Sequence, residues 1–137
     1  MDPSIAVILE VLKTQVTDLR LVVLFGSFAS GHQRHDSDID IGFAATRGLE
    51  GRTLFDLKLT IQAQCERNVD LIDLTNPNIS IVLKHEVIST GVVIFESNDS
   101  IMSEFQARIL RDYEDFMYRR RSLDNALANR LSAYAHA

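Results

Sequence analysis

Ile5, Ile8, Leu9, Leu12 and Val16 recur at spacings of three and four, the period of a helix with one apolar face. Asp2-Pro3 ahead of them reads as an N-cap followed by proline in the first turn, where its missing N–H does no harm. Residues 21–25 form an apolar, β-branched run that stops at Gly26, the mark of a short buried strand. From Asp38 to Ala44 the pattern changes to a period of two, with Asp38 and Asp40 alternating with Ile39 and Ile41. Between these strands, residues 27–30 read as a short helical turn and residues 31–37 as a polar loop.

Helical spacing returns over residues 49–67 through Leu54, Leu57, Ile61 and Cys65, followed by a third strand at 69–74. Asn76-Pro77 repeats the cap-and-proline start and predicts a helix from there, ending near Gly91 as a residue of the C′ type. A last strand covers residues 92–95. From about Asp99, Phe105, Ile109, Tyr113, Phe116 and Met117 predict a long amphipathic helix. A break is expected near Ser122, before a second piece carrying Leu123, Leu127 and Leu131.

The order α-β-(turn)-β-α-β-α-β-α describes an α/β fold, a small mixed sheet with flanking helices and a C-terminal helical extension. The expected division is a core at residues 1–97 and an amphipathic extension at 98–137, either packed into the same domain or docking a partner. The chain has 137 residues, 46% of them hydrophobic, enough for one domain with a real core. No apolar run approaches a bilayer-spanning length, so no membrane association is expected. The start Met-Asp-Pro-Ser lacks the basic region of a signal peptide, and Cys65 is the only cysteine, so a cytoplasmic location is expected. A net charge of −5 argues against broad phosphate-driven nucleic-acid binding and is compatible with a site built from carboxylates.

The chemistry concentrates between Leu24 and Ile41. Gly26 has no Cβ, so a phosphate can approach the backbone there, and Ser27 offers a hydroxyl and free N–H groups at the start of a turn. Asp38 and Asp40, two apart on a strand, share a face at roughly 6–7 Å between Cα atoms. Two such carboxylates repel unless a cation lies between them. Hard oxygen ligands of this kind suit Mg²⁺ or Mn²⁺, with triphosphate oxygens completing the shell. Val69-Asp-Leu-Ile-Asp-Leu74 carries two more acids three residues apart, which face opposite sides of a regular strand.

Gly-Ser, ten residues, then Asp-x-Asp resembles the signature of the DNA polymerase β-like nucleotidyltransferase superfamily. The likeness follows the order of elements over residues 5–95, with motif detail at 24–41 and 69–74. The short chain is similar to the minimal nucleotidyltransferases (MNT), many of which are antitoxins beside a HEPN-family toxin. The resemblance implies a type VII toxin–antitoxin role: a protein adenylyltransferase that moves AMP from ATP to a tyrosine of the HEPN ribonuclease, neutralising it. It implies two Mg²⁺ (or Mn²⁺) ions held by Asp38, Asp40 and Asp70, with Gly26 and Ser27 on the β- and γ-phosphates. Asp70 rather than Asp73 is the third carboxylate in that pattern, leaving Asp73 to cap a turn or end the strand.

Ser37 is a supporting candidate beside the Asp pair. Many relatives carry a basic residue where this chain has Ser30, which turns attention to Arg34 for neutralising the triphosphate. His32, His35 and Asp36 read as loop residues. Arg119-Arg120-Arg121 reads as solvated helix surface, and Tyr113, Tyr118 and Tyr134 as packing residues. Arg130 and His136 match the loose spacing of a HEPN ribonuclease Arg-His pair, a coincidence expected by chance near a terminus. The competing readings are a non-catalytic module that masks the toxin, and nucleotide transfer to a small molecule or RNA.

Overall fold

The computed structural model describes residues 2–26 and 38–135. Eight elements appear: α1 (Pro3–Gln15), β1 (Leu19–Phe25), β2 (Ile39–Ala45), α2 (Gly51–Cys65), β3 (Val69–Asp73), α3 (Ile81–Thr90), β4 (Val92–Glu96) and α4 (Ile101–Ala135). Their kinds and order agree with the sequence pattern. The turn and loop expected between β1 and β2 lie outside the described residues.

The four strands make one mixed sheet in the order β3-β2-β1-β4. β1 runs antiparallel to both β2 and β4, whereas β2 and β3 are parallel and are joined across one face by α2. Alternation along each strand sends side chains to two different cores. Val22, Leu24, Ile39, Ile41, Phe43, Val69 and Leu71 meet the apolar faces of α1 and α2 on one side. Leu21, Val23, Ala44, Ile72 and Leu74 meet α3 and the first part of α4 on the other. Ile39 and Ile41, both fully buried, hold β2 so that the alternate residues must face the second layer.

A side-chain cap fixes the start of α1. Asp2 Oδ1 accepts from the Ser4 N–H at 2.8 Å, and Asp2 Oδ2 accepts from Arg67 Nη1 at 3.0 Å, tying α1 to the end of α2. The Ser4 N–H bond holds the Asp2 carboxyl below the usual carboxylate range against the opposing effect of burial, and the Arg67 charge adds to it. α2 ends at Cys65, the last residue of its apolar period and two residues short of the expected bound, because Glu66 takes a left-handed conformation at φ 55°.

Several expectations need correction. The helix expected at Asn76-Pro77 begins instead at Ile81, with Ser80 Oγ accepting from the Val82 N–H. Asn76 Oδ1 accepts from the Asn78 N–H, so the Asn-Pro pair closes a turn of its own, an alternative open to the same short side chain. Gly91 does follow α3, but at φ −77°, not in the left-handed region. Glycine fits there because a Cβ would collide with Val23 and with the Val87 carbonyl.

The third correction concerns α4, which runs unbroken through Ser122 for 35 residues. Serine in a helix interior costs only a few tenths of a kcal/mol, about 0.5 relative to alanine, and the flanking residues are good helix formers. Tyr113 packs, its ring stacked on His85 at 3.7 Å between centroids. Tyr118 and Tyr134 do not pack within the chain; both are exposed. α4 crosses the sheet at the end where β2 and β3 finish, lining a cavity with Arg20, Ala45 and Leu74. It leaves the body beside Pro77 and Ile79.

Candidate active site

β1 stops at Gly26 because the backbone turns into the left-handed region there, at φ 71°. Across the β1–β2 pair, Phe25 stands opposite Asp40. A Cβ built on Gly26 would overlap the Asp40 carboxylate. Glycine is therefore required twice at this position, by its dihedral angle and by the carboxylate beside it. The sequence pattern points to phosphate access alone and misses the second reason.

The parallel pairing of β2 with β3 sets Asp40 directly opposite Asp70. Both lie on the sheet face that carries Gly42, Ala44 and Ile72, since the alternate residues Ile39, Ile41, Val69 and Leu71 fill the opposite core. Asp38 falls one residue before β2 rather than on it, and is exposed. Asp40 is partly buried and Asp70 is exposed. Burial pushes the Asp40 carboxyl above the usual carboxylate range, and the negative charges of Asp70 and Asp38 push it further in the same direction. Three carboxylates thus gather at one end of the sheet, and the other two disfavour the charge of Asp40.

Asp73 stands apart. It is buried, with Oδ2 accepting from the Leu49 N–H at 2.8 Å and Oδ1 from the Thr75 N–H at 3.0 Å. Thr75 in turn donates to the Ala45 carbonyl and accepts from the Ala45 N–H. Asp73 secures the far end of the sheet, three residues along β3 from Asp70 and facing other groups. Of the remaining candidates, Ser27, Arg34 and Ser37 lie outside the described residues, as do Ser30, His32, His35 and Asp36.

The donor set of Asp38, Asp40 and Asp70 is all oxygen and open on one side. Among the described residues no group of three acid, imidazole or thiol side chains is arranged to hold an ion unaided. Mg²⁺ commonly takes one or two protein carboxylates and draws its other ligands from substrate phosphates and water, so an open carboxylate edge next to a glycine turn fits it.

The model of the polymerase beta nucleotidyltransferase family matches residues 7–100, which include both strands of the carboxylate edge and the Gly26 turn. The chain belongs to that family. This nucleotidyltransferase is 29% identical over 132 residues to protein adenylyltransferase MntA of Shewanella oneidensis, covering 94% of the chain and 91% of the relative. A toxin–antitoxin structure with AMP-PNP superposes with a TM-score of 0.80 at 25% identity, covering 89% of this chain and 96% of the other. The MNT antitoxin in complex with tri-AMPylated Shewanella oneidensis HEPN toxin shares the fold at a TM-score of 0.75 and 22% identity, over 90% of this chain and 95% of that one. Among the described residues, no helix is long and apolar enough to cross a membrane.

Proposed function

We propose that this nucleotidyltransferase is the antitoxin of a type VII toxin–antitoxin pair. It transfers AMP from ATP to a tyrosine of a HEPN-family ribonuclease toxin in the cytoplasm, and the modification neutralises the toxin. One observation carries the reading: Asp40 faces Asp70 beside the Gly26 turn, in a chain that follows a protein adenylyltransferase over 94% of its length. The AMP-PNP held by the structural relative supports ATP as the donor.

Asp38, Asp40 and Asp70 are the groups that would hold two divalent cations, and Gly26 lets the triphosphate approach the backbone closely. Ser27 lends hydrogen-bond donors to its outer phosphates, with Ser37 and Arg34 as further contacts. Bound there, Mg²⁺ or Mn²⁺ would screen the triphosphate and favour ionisation of the attacking hydroxyl, whose ordinary pKa is about 10. The tyrosine oxygen forms a bond to the α-phosphorus while the bond from that phosphorus to the β-phosphate bridging oxygen breaks. Pyrophosphate leaves with the electron pair, and the phenolic proton passes to solvent past the exposed Asp70. The chain's own contribution is placement: a fixed strand register holds the acids at the reacting end, and the glycine turn keeps the approach clear.

The test is intact-mass measurement of the HEPN partner after incubation with the chain, ATP and Mg²⁺. Wild type adds one or more AMP units, and Asp38→Ala/Asp40→Ala adds none. Identical toxin masses with both proteins refute the enzymatic reading. A double variant that still silences the ribonuclease without modifying it shows masking instead.

A further inference from the structure

The core-facing stripe of α4 does not end where the core ends. At roughly 100° per residue, Phe105, Ile109 and Phe116 fall within one arc of the helix, and Leu123, Leu127, Leu131 and Tyr134 fall within the same arc of about 80°. The first group packs against the sheet and α3 or lines the groove beside them. The second has nothing over it: Leu123 is 70% exposed, Leu127 54%, Leu131 62% and Tyr134 85%. Every residue from 118 to 135 is exposed, a helical stretch about 27 Å long at 1.5 Å per residue. A helix of that length is marginal in water without a packed face, and a row of solvent-exposed leucines marks a surface awaiting a partner.

The charge on this stretch selects the partner. Arg119, Arg120, Arg121 and Arg130 give +4 and Asp124 gives −1, a net +3 in a chain whose total is −5. Two such tails side by side would carry a net +6, with the single carboxylate of each already counted. A face that alternates leucine with bordering carboxylates meets the stripe without that repulsion.

Position selects its size. The tail leaves the body at the Pro77–Ile79 turn, at the end of the sheet opposite Asp40 and Asp70. Along β2 from Asp40 to Ala45 alone the separation is about 17 Å at 3.3–3.4 Å per residue. A small acceptor held on the tail would be out of reach of the carboxylates. A folded protein spans the gap.

We propose that Leu123, Leu127, Leu131 and Tyr134 form the docking surface for the protein that accepts the nucleotide. That protein covers them with an apolar helix face bordered by Asp and Glu. The proposal rests on the protein adenylyltransferase reading and adds the surface that selects the substrate.

The experiment compares three full-length proteins with the HEPN partner as probe: wild type, Leu123→Ala/Leu127→Ala/Leu131→Ala, and Arg119→Glu/Arg120→Glu/Arg121→Glu. Alanine and glutamate both favour helix, so circular dichroism should show the tail retained. The alanine variant is expected to weaken binding by about a hundredfold or more, as loss of clustered apolar anchors does. Its KM for the partner should rise while kcat at saturating partner stays within about threefold. The glutamate variant should also bind more weakly, and raising salt should weaken wild-type binding. Equal affinity of wild type and the alanine variant overturns the docking surface while leaving AMP transfer standing. Sedimentation showing a wild-type homodimer that the alanine variant loses, with partner binding unchanged, assigns the stripe to a second copy and overturns it too. A wild type that binds the partner through the stripe yet transfers no AMP refutes the adenylyltransferase reading alone.

Discussion

Replacing Gly26 with alanine separates two demands that meet at one backbone atom. The residue sits at φ 71°, where an L side chain costs about 1–2 kcal/mol relative to glycine. For a chain of this size that lowers the melting temperature by roughly 3–8 °C. The larger effect falls on the site, because the new methyl would occupy the space of the Asp40 carboxylate. The acid lies between Gly26 and Asp70 and can escape only by moving off the β1 side by about 1 Å or more; a misplacement of that order costs about a hundredfold in rate. AMP transfer should therefore fall by around two orders of magnitude in kcat/KM at a temperature where the variant is still folded. Gly91→Ala is the control. It is equally crowded, against Val23 and the Val87 carbonyl, but lies at φ −77° and has no carboxylate among the atoms a Cβ would meet. It should lose stability, about 1–3 kcal/mol by overpacking, while keeping its activity per folded molecule. If Gly26→Ala retains transfer within about threefold of wild type, the packing of Asp40 against Gly26 does not set the geometry of the site.

Asp73→Ala should cost about 2–4 kcal/mol in denaturant unfolding, because the Leu49 and Thr75 N–H groups lose their acceptor in a buried place; a loss below about 0.5 would contradict that role. Mn²⁺ affinity measured by titration calorimetry should decline on acidification sooner than for an ordinary carboxylate, since Asp40 has a raised pKa and must give up its proton to bind a cation. Without metal the sign reverses: the folded chain holds the Asp40 proton more tightly than the unfolded one, so this group favours folding less as pH rises from the ordinary carboxylate value through the raised one. Asp40→Asn should flatten both dependences. Asp2→Ala should destabilise by about 1 kcal/mol near neutral pH through loss of the α1 cap, and the deficit should shrink as pH falls from the ordinary carboxylate value through the lowered pKa of Asp2.

What could be read in advance divides along physical lines. Strands and helices with a strong period were legible because burial enforces the period: Ile39 and Ile41 must enter the core, and Asp40 then cannot. The same parity argument separates exposed Asp70 from buried Asp73. The strand-to-strand register that sets Asp40 opposite Asp70 is a long-range property, and no local pattern states it. Boundaries failed where side chains had two local uses. Asn76 can cap a helix or close a turn, and the chain takes the turn. Gly91 can serve a left-handed cap or a close approach, and it serves the approach. Ser122 breaks nothing, because a lone serine cannot outweigh the helix formers on either side. The amphipathicity of the C-terminal segment was legible too, but which half of α4 finds a core depends on where the body stops.

The parallel register of β2 and β3 has a kinetic corollary. Asp40 and Asp70 are 30 residues apart in the chain and meet only after α2 has crossed the sheet and β3 has paired. β3 is also an edge strand, held to the sheet from one side. Pairing of this kind closes late, after more local contacts have formed, and an edge strand is among the first to open. The carboxylate edge should therefore assemble at the end of folding and come apart ahead of global unfolding. Amide exchange along β3 would then track loss of activity under mild denaturant, while β1, bonded on both sides, stays protected.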